Sequence, residues 1–117
     1  MQMKELSFGK AQPVDGYGPG FFRVAGRPLP GPICLASEGN IAWGGLADED
    51  ALVCLAGDID VIFVGTGAEM ARLPETLTQR LEAAGVGVEV MSTPSACRTY
   101  NVLLGEGRRV ALAAMPV

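Results

Sequence analysis

The chain contains no histidine among its 117 residues. That absence removes every cysteine or serine nucleophile activated by an imidazole of the same chain, and every metal site with a histidine ligand of its own. Cysteine is scarce as well. Cys34, Cys54 and Cys97 are odd in number and show no C-x-x-C spacing, so neither a disulfide framework nor a thiolate zinc site is expected. Cys97 in particular reads as a small buried hydrophobe rather than a nucleophile. Long apolar runs are missing too: "ALVCLAG" and "VIFVGTG" fall far short of the ~20 residues that span a bilayer. Basic residues are few and scattered, nine against thirteen acids for a formal net charge of -4, which argues against a nucleic-acid partner. The opening "MQMKELSFGKAQ" has neither the apolar core of a signal peptide nor the Arg-rich pattern of a transit peptide, so a cytoplasmic location is expected.

What the chain does have is enough apolar material for one core. A hydrophobic fraction of 49% is too high for disorder, and the length suits a single domain over residues 1–117. Glycine and proline divide it unevenly. Thirteen of them fall within residues 13–46, between the short apolar pieces "FFRVAG", "PICLAS" and "NIAWGG". These read as short strands joined by turns, one of them at Glu38, Gly39 and Asn40. Trp43, the one tryptophan, is expected to anchor a core or an interface.

From residue 47 onward longer periodic segments take over. "DEDALVCLAG" reads as a short helix opened by acids, which favour the positive end of the backbone dipole. "DVIFVGTG" follows as a strand, and its continuous run Val61 to Val64 suits a strand covered on both faces. "LPETLTQRLEAAG" sets Leu73, Leu77, Leu81 and Ala84 on one helical stripe with Gly85 as the stop. "VGVEVM" is the next strand, "TPSACRTYNVLLGEG" a helix and "RRVALAAM" a last strand. The alternation predicts an α/β single-domain layered fold: a mixed central sheet flanked by helices, with an additional N-terminal β portion.

Two segments are candidates for a site. In "STPSACRTYN" the pair Thr93 and Pro94 signals a helix start, the hydroxyl as cap and the proline in the first turn. Ala96, Cys97, Tyr100, Leu103 and Leu104 then form a buried stripe, leaving Ser95, Arg98, Thr99 and Asn101 nearer the rim. The second segment is Gly65, Thr66 and Gly67, where a strand leaves the sheet. Glycines at such a turn supply positive φ or close packing; ligands in open α/β folds also bind outside the carboxyl ends of strands. If the strands ending at Val64 and Met91 are neighbours, Thr66 and the helix start at Thr93 share one sheet edge. Main-chain N–H groups there, with Arg98 one turn in, would suit an anion. Asp58 and Asp60 read as turn residues, and Glu106 as an ion-pair partner for Arg108 or Arg109.

Taken together, "DGYGPGFFRVAG", Trp43, "VIFVGTG", "LPETLTQRLEAAGVGVEVM" and "MSTPSACRTYNVLLGEGRRVALAAMP" resemble a small family of formerly uncharacterised proteins. Its animal members include the mitochondrial NADH dehydrogenase (complex I) assembly factor three. The resemblance spans nearly the whole chain. It implies an α/β domain with a mixed sheet and brings with it no enzymatic activity and no cofactor. The family pattern falls on Gly65, Thr66, Gly67, Met91, Thr93, Ala96, Arg98, Thr99, Tyr100, Asn101 and Glu106. The expected role is that of a non-enzymatic binding or assembly protein, an accessory to a membrane respiratory complex, docking a protein partner through Gly65 to Gly67 and Thr93 to Asn101. The alternative is an anion-binding module or small enzyme at the same edge, with Arg98 orienting the ligand and Thr66 or Tyr100 donating to it. No metal site is expected, and a homo-oligomer is compatible with either reading.

Overall fold

The computed structural model describes residues 11–117; the leader reading concerns residues 1–12, of which 1–10 lie outside the described residues. The Gly- and Pro-rich part forms five short strands: β1 (Gly16–Gly18), β2 (Phe21–Val24), β3 (Arg27–Pro30), β4 (Ile33–Ala36) and β5 (Gly39–Ile41). β1 to β3 make an antiparallel meander of their own, while β4 and β5 join the main sheet. The expected N-terminal β portion is therefore split between an extra layer and an extension of the sheet. In the meander, Gly18 lies opposite Phe21, and a Cβ on Gly18 would sit only 2.6 Å from the Phe21 ring. The aromatic covers the space that glycine leaves.

The hairpin between β4 and β5 pairs Ala36 with Gly39. Its loop is thus Ser37 and Glu38, one residue earlier than the sequence suggested, because Gly39 takes its positive φ of +97° as the first paired residue. Beyond β5 come α1 (Glu49–Val53), β6 (Val61–Gly65), α2 (Glu75–Ala83), β7 (Gly87–Met91), α3 (Thr93–Gly105) and β8 (Val110–Ala114). The main sheet has the order β5-β4-β8-β6-β7. β6 is parallel to both β7 and β8, and β4 is antiparallel to β8. A mixed sheet results, as expected.

Burial on both faces explains the continuous apolar runs. Along β8, Val110, Leu112 and Ala114 join one cluster, and Ala111 and Ala113 the other. β4 and β6 alternate in the same way: Leu35 and Phe63 point to the first side, Cys34, Ile62 and Val64 to the second. Helix α3 and the meander cover the first face, through Ala96, Cys97, Tyr100, Phe22 and Val24. Helices α1 and α2 cover the second through Leu52, Leu77 and Leu81. Leu73 precedes α2 and is half-buried, and Ala84 at its carboxyl end is exposed. The buried stripe is therefore shorter than the sequence period implied. Trp43 is a core residue, 8% exposed, and its Nε1 donates to the Asp48 carbonyl at 3.1 Å.

Arg109 is paired with Asp60 rather than Glu106. Its guanidinium reaches Asp60 Oδ1 at 2.9 Å, and the Asp60 N–H donates to the Arg109 carbonyl at 2.8 Å. The parallel register of β6 and β8 brings their entrances side by side, whereas Glu106 caps the end of α3. The Arg109 hydrogen bond holds the Asp60 carboxyl below its ordinary range.

Candidate functional site

The strands ending at Gly65 and Met91 are neighbours in parallel register. The connection leaving β6 leads to α2 on one face of the sheet, and the connection leaving β7 leads to α3 on the other. Between their carboxyl ends lies the place where such folds hold ligands. In this chain its main-chain groups are engaged internally. Gly67, at φ +110°, donates its N–H to Thr93 Oγ1 at 2.9 Å and accepts from the Thr93 N–H at 2.7 Å. The same hydroxyl donates to the Met115 carbonyl at 2.7 Å. Met115 in turn donates its N–H to the Gly65 carbonyl at 2.9 Å.

Thr93 is thus a fully buried bridge between the ends of β6 and β8, and the cap of α3 is Ser92, whose Oγ accepts from the Ser95 N–H at 3.5 Å. Capping by Thr93 was the sequence expectation. The hydroxyl goes instead to a partner that exists only after the C-terminal strand has docked. Gly65 makes this approach feasible, since a Cβ there would lie 2.7 Å from Thr93 Cα and 2.8 Å from Thr93 Oγ1. Pro94 has no N–H, and the Ala96 N–H goes to the Ser92 carbonyl at 2.9 Å. The first-turn donors that were to hold an anion are therefore all engaged.

The remaining residues of the expected site are dispersed. Arg98 is exposed, and its guanidinium donates to Ser95 Oγ at 3.4 Å. Tyr100 is completely buried and donates its hydroxyl to the Gln12 carbonyl at 2.8 Å. Asn101 grips Val14 with both ends of its amide: Oδ1 accepts from the Val14 N–H and Nδ2 donates to the Val14 carbonyl, each at 2.8 Å. Tyr100 and Asn101 therefore fasten the segment that enters β1, about two turns along α3 from Thr93. Thr99 reaches Met91 Sδ at 3.7 Å. Burial pushes the Cys97 thiol up to about 11 and the Cys34 thiol up to about 12. Neither is a thiolate near neutral pH; Cys54 is exposed.

Thr66 organises the loop that follows. Its hydroxyl donates to the Glu69 carbonyl at 2.8 Å and accepts from the Ala71 N–H at 2.9 Å. Its own N–H donates to the Met91 carbonyl at 3.0 Å. These bonds fold residues 66–71 into a compact turn, and the product is an exposed methionine: Met70 is 64% accessible. Beside it runs a groove of about 470 Å³, lined by Met70, Arg72, Leu73, Glu75, Thr78 and Val90. Sequence reasoning passed over this surface. Its one signal was the apolar Met70 and Leu73 within "AEMARLP", a stretch too irregular to be helix or strand.

Comparison with known proteins places the chain among relatives. The model of the family described as "Protein of unknown function (DUF498/DUF598)" matches residues 14–115. An uncharacterised protein of Rhodobacter capsulatus is 50% identical over 117 residues, covering all of this chain and 94% of its own. NADH dehydrogenase [ubiquinone] 1 alpha subcomplex assembly factor 3 of Danio rerio is 32% identical over 123 residues, covering 99% of this chain and 70% of its own. A crystal structure titled as an outer membrane protein from Bartonella henselae superposes with a TM-score of 0.84 at 36% identity, covering 94% of this chain and 98% of its own. The chain belongs to the DUF498/DUF598 family. Among the described residues no helix is long and apolar enough to cross a membrane.

Proposed function

We propose that this chain is a non-enzymatic docking protein of the assembly-factor type, acting in the cytoplasm and engaging a partner polypeptide through the groove beside Met70. One observation carries the reading: three hydrogen bonds centred on Thr66 shape a loop that holds Met70 out into solvent next to Leu73 and Val90. A flexible thioether over an apolar groove adapts to irregular partner surfaces. Gly65, Gly67 and Thr93 serve the site from beneath by fixing where the loop begins. The relatives named as assembly factors align with almost the whole chain. In the form their names suggest, the partner is a subunit of a membrane respiratory enzyme before its incorporation. The missing histidine and the two buried thiols support a role without covalent chemistry.

The test is affinity capture from the source cells with wild type, Met70→Glu and Arg98→Ala, reading proteins and small molecules by mass spectrometry. Both substitutions are at exposed positions and leave the core untouched. Docking in the groove predicts that Met70→Glu depletes a respiratory subunit by about tenfold or more, the loss of one apolar anchor, while Arg98→Ala retains it. The opposite pattern, with a small anion lost from Arg98→Ala, transfers the function to the helix start and overturns this reading.

A further inference from the structure

β7 is an open edge. It ends the sheet order, and among the described residues it is the one edge strand of five residues without proline: β1 and β5 have three residues each, and β3 carries Pro28 and Pro30. Proteins usually blunt such edges, because unpaired main-chain groups invite another strand. The ladder to β6 fixes which groups are open. The Gly87 N–H donates to the Asp60 carbonyl at 2.9 Å, and the Met91 carbonyl accepts from the Thr66 N–H at 3.0 Å. With alternate residues of a parallel strand bonding to one side, Val88 and Val90 present their N–H and C=O groups outward.

The side chains alternate as well. Val88, like Leu73, packs against the core on the α2 side and Val90 lines the groove beside Met70, whereas Met91 packs on the α3 side, the side that Glu89 shares by strand parity. Glu89 is exposed and is the one charge on the strand.

Resting on the docking reading, we infer that the partner adds an extended segment to β7, with alternating apolar and basic side chains. Its apolar residues lie over Val88, Val90 and Met70, and its Lys or Arg residues face Glu89. Main-chain bonds at Val88 and Val90 supply affinity and the alternation supplies selectivity, as in strand addition generally. A second copy of this chain fits less well, since full antiparallel overlap of two β7 strands sets Glu89 against Glu89.

Amide hydrogen exchange of the intact protein tests this with two N-acetylated seven-residue probes, one alternating Val and Lys, the other Val and Glu. At roughly millimolar probe, the Val–Lys peptide slows exchange at Val88 and Val90 by about tenfold or more, and the Val–Glu peptide does not. Glu89→Lys, an exposed change, reverses that preference. Protection confined to residues 68–74 overturns strand addition while leaving the groove as a docking site. No change at Val88 and Val90 with either probe also overturns it, and the fate of the groove then rests on the Met70→Glu capture. Slow, concentration-dependent exchange at these two amides without any peptide replaces the partner with a second copy.

Discussion

Replacing Gly65 with alanine adds one methyl group at the end of β6, and the structure gives its cost. The new Cβ would stand 2.7 Å from Thr93 Cα, 2.8 Å from Thr93 Oγ1 and 3.2 Å from Ala96 Cβ. The closest of these is backbone, so rotation of a side chain gives no relief. Either the first turn of α3 lifts off the sheet or the end of β6 bends away from it. Overpacking of this kind costs about 1–3 kcal/mol. Any lift also stretches the pair of bonds between Gly67 and Thr93 and the Thr93 bond to the Met115 carbonyl, each contributing about 1 kcal/mol net. The expected destabilisation is about 2–4 kcal/mol. With roughly 3–5 °C of melting temperature per kcal/mol for a domain of this size, Tm should fall by about 10 °C. Urea denaturation with an unchanged slope measures the same quantity as a shift in midpoint. Gly105→Ala is the control. It lies in α3 with nothing within 4 Å of its added Cβ, so it should raise stability by up to about 1 kcal/mol through helix propensity. A Gly65→Ala variant as stable as wild type refutes the close approach of α3 to β6.

Two further predictions use the same junction and the core. Thr93→Val keeps the shape but leaves the Gly67 N–H and the Met115 carbonyl without their partner; a loss of about 2–4 kcal/mol is expected in urea denaturation, with Thr93→Ser milder, and equal stability of Val and Thr would show that the bridge contributes nothing. For pH, burial holds the Cys97 and Cys34 thiols up to about 11 and about 12. The unfolded chain releases these protons near its ordinary thiol value of 9.0, while the folded chain keeps them. Stability is therefore complete below about pH 9 and falls as pH rises towards 11. A denaturation midpoint that stays flat across that window, or rapid labelling of more than the exposed Cys54 by a thiol reagent in the folded protein, contradicts the burial.

Local pattern carried much of the architecture. The run at β6 announced a strand covered on both faces, "RRVALAAM" announced the last strand, the leucine spacing announced α2, and Cys97 was placed inside by its position on the α3 stripe. The site was harder to read because its chemistry depends on distant partners. Thr93 looked like a cap because Thr-Pro is a local signal, yet its hydroxyl serves Met115, 22 residues away. Tyr100, placed on the buried stripe with a hydroxyl offered to a ligand, and Asn101, read as rim polarity, proved to be tethers for Gln12 and Val14, 88 and 87 residues away. Arg109 found Asp60, 49 residues away, instead of nearby Glu106. The exposure of Met70 arises from a loop that no hydrophobic period describes.

The position of β8 bears on how the protein is made. β8 is last in sequence and central in space, joining β4 on one side to β6 on the other. As the polypeptide emerges amino end first, the β4–β5 hairpin and the β6–β7 pair come out with nothing between them. Each then shows an apolar flank that only β8 can close. Helix α3 waits as well, since the Met115 carbonyl that anchors Thr93 follows directly after β8. Completion of this sheet therefore waits for a zipping step in which one strand unites two half-sheets, and a nascent chain stalled before Val110 is a natural client for a chaperone.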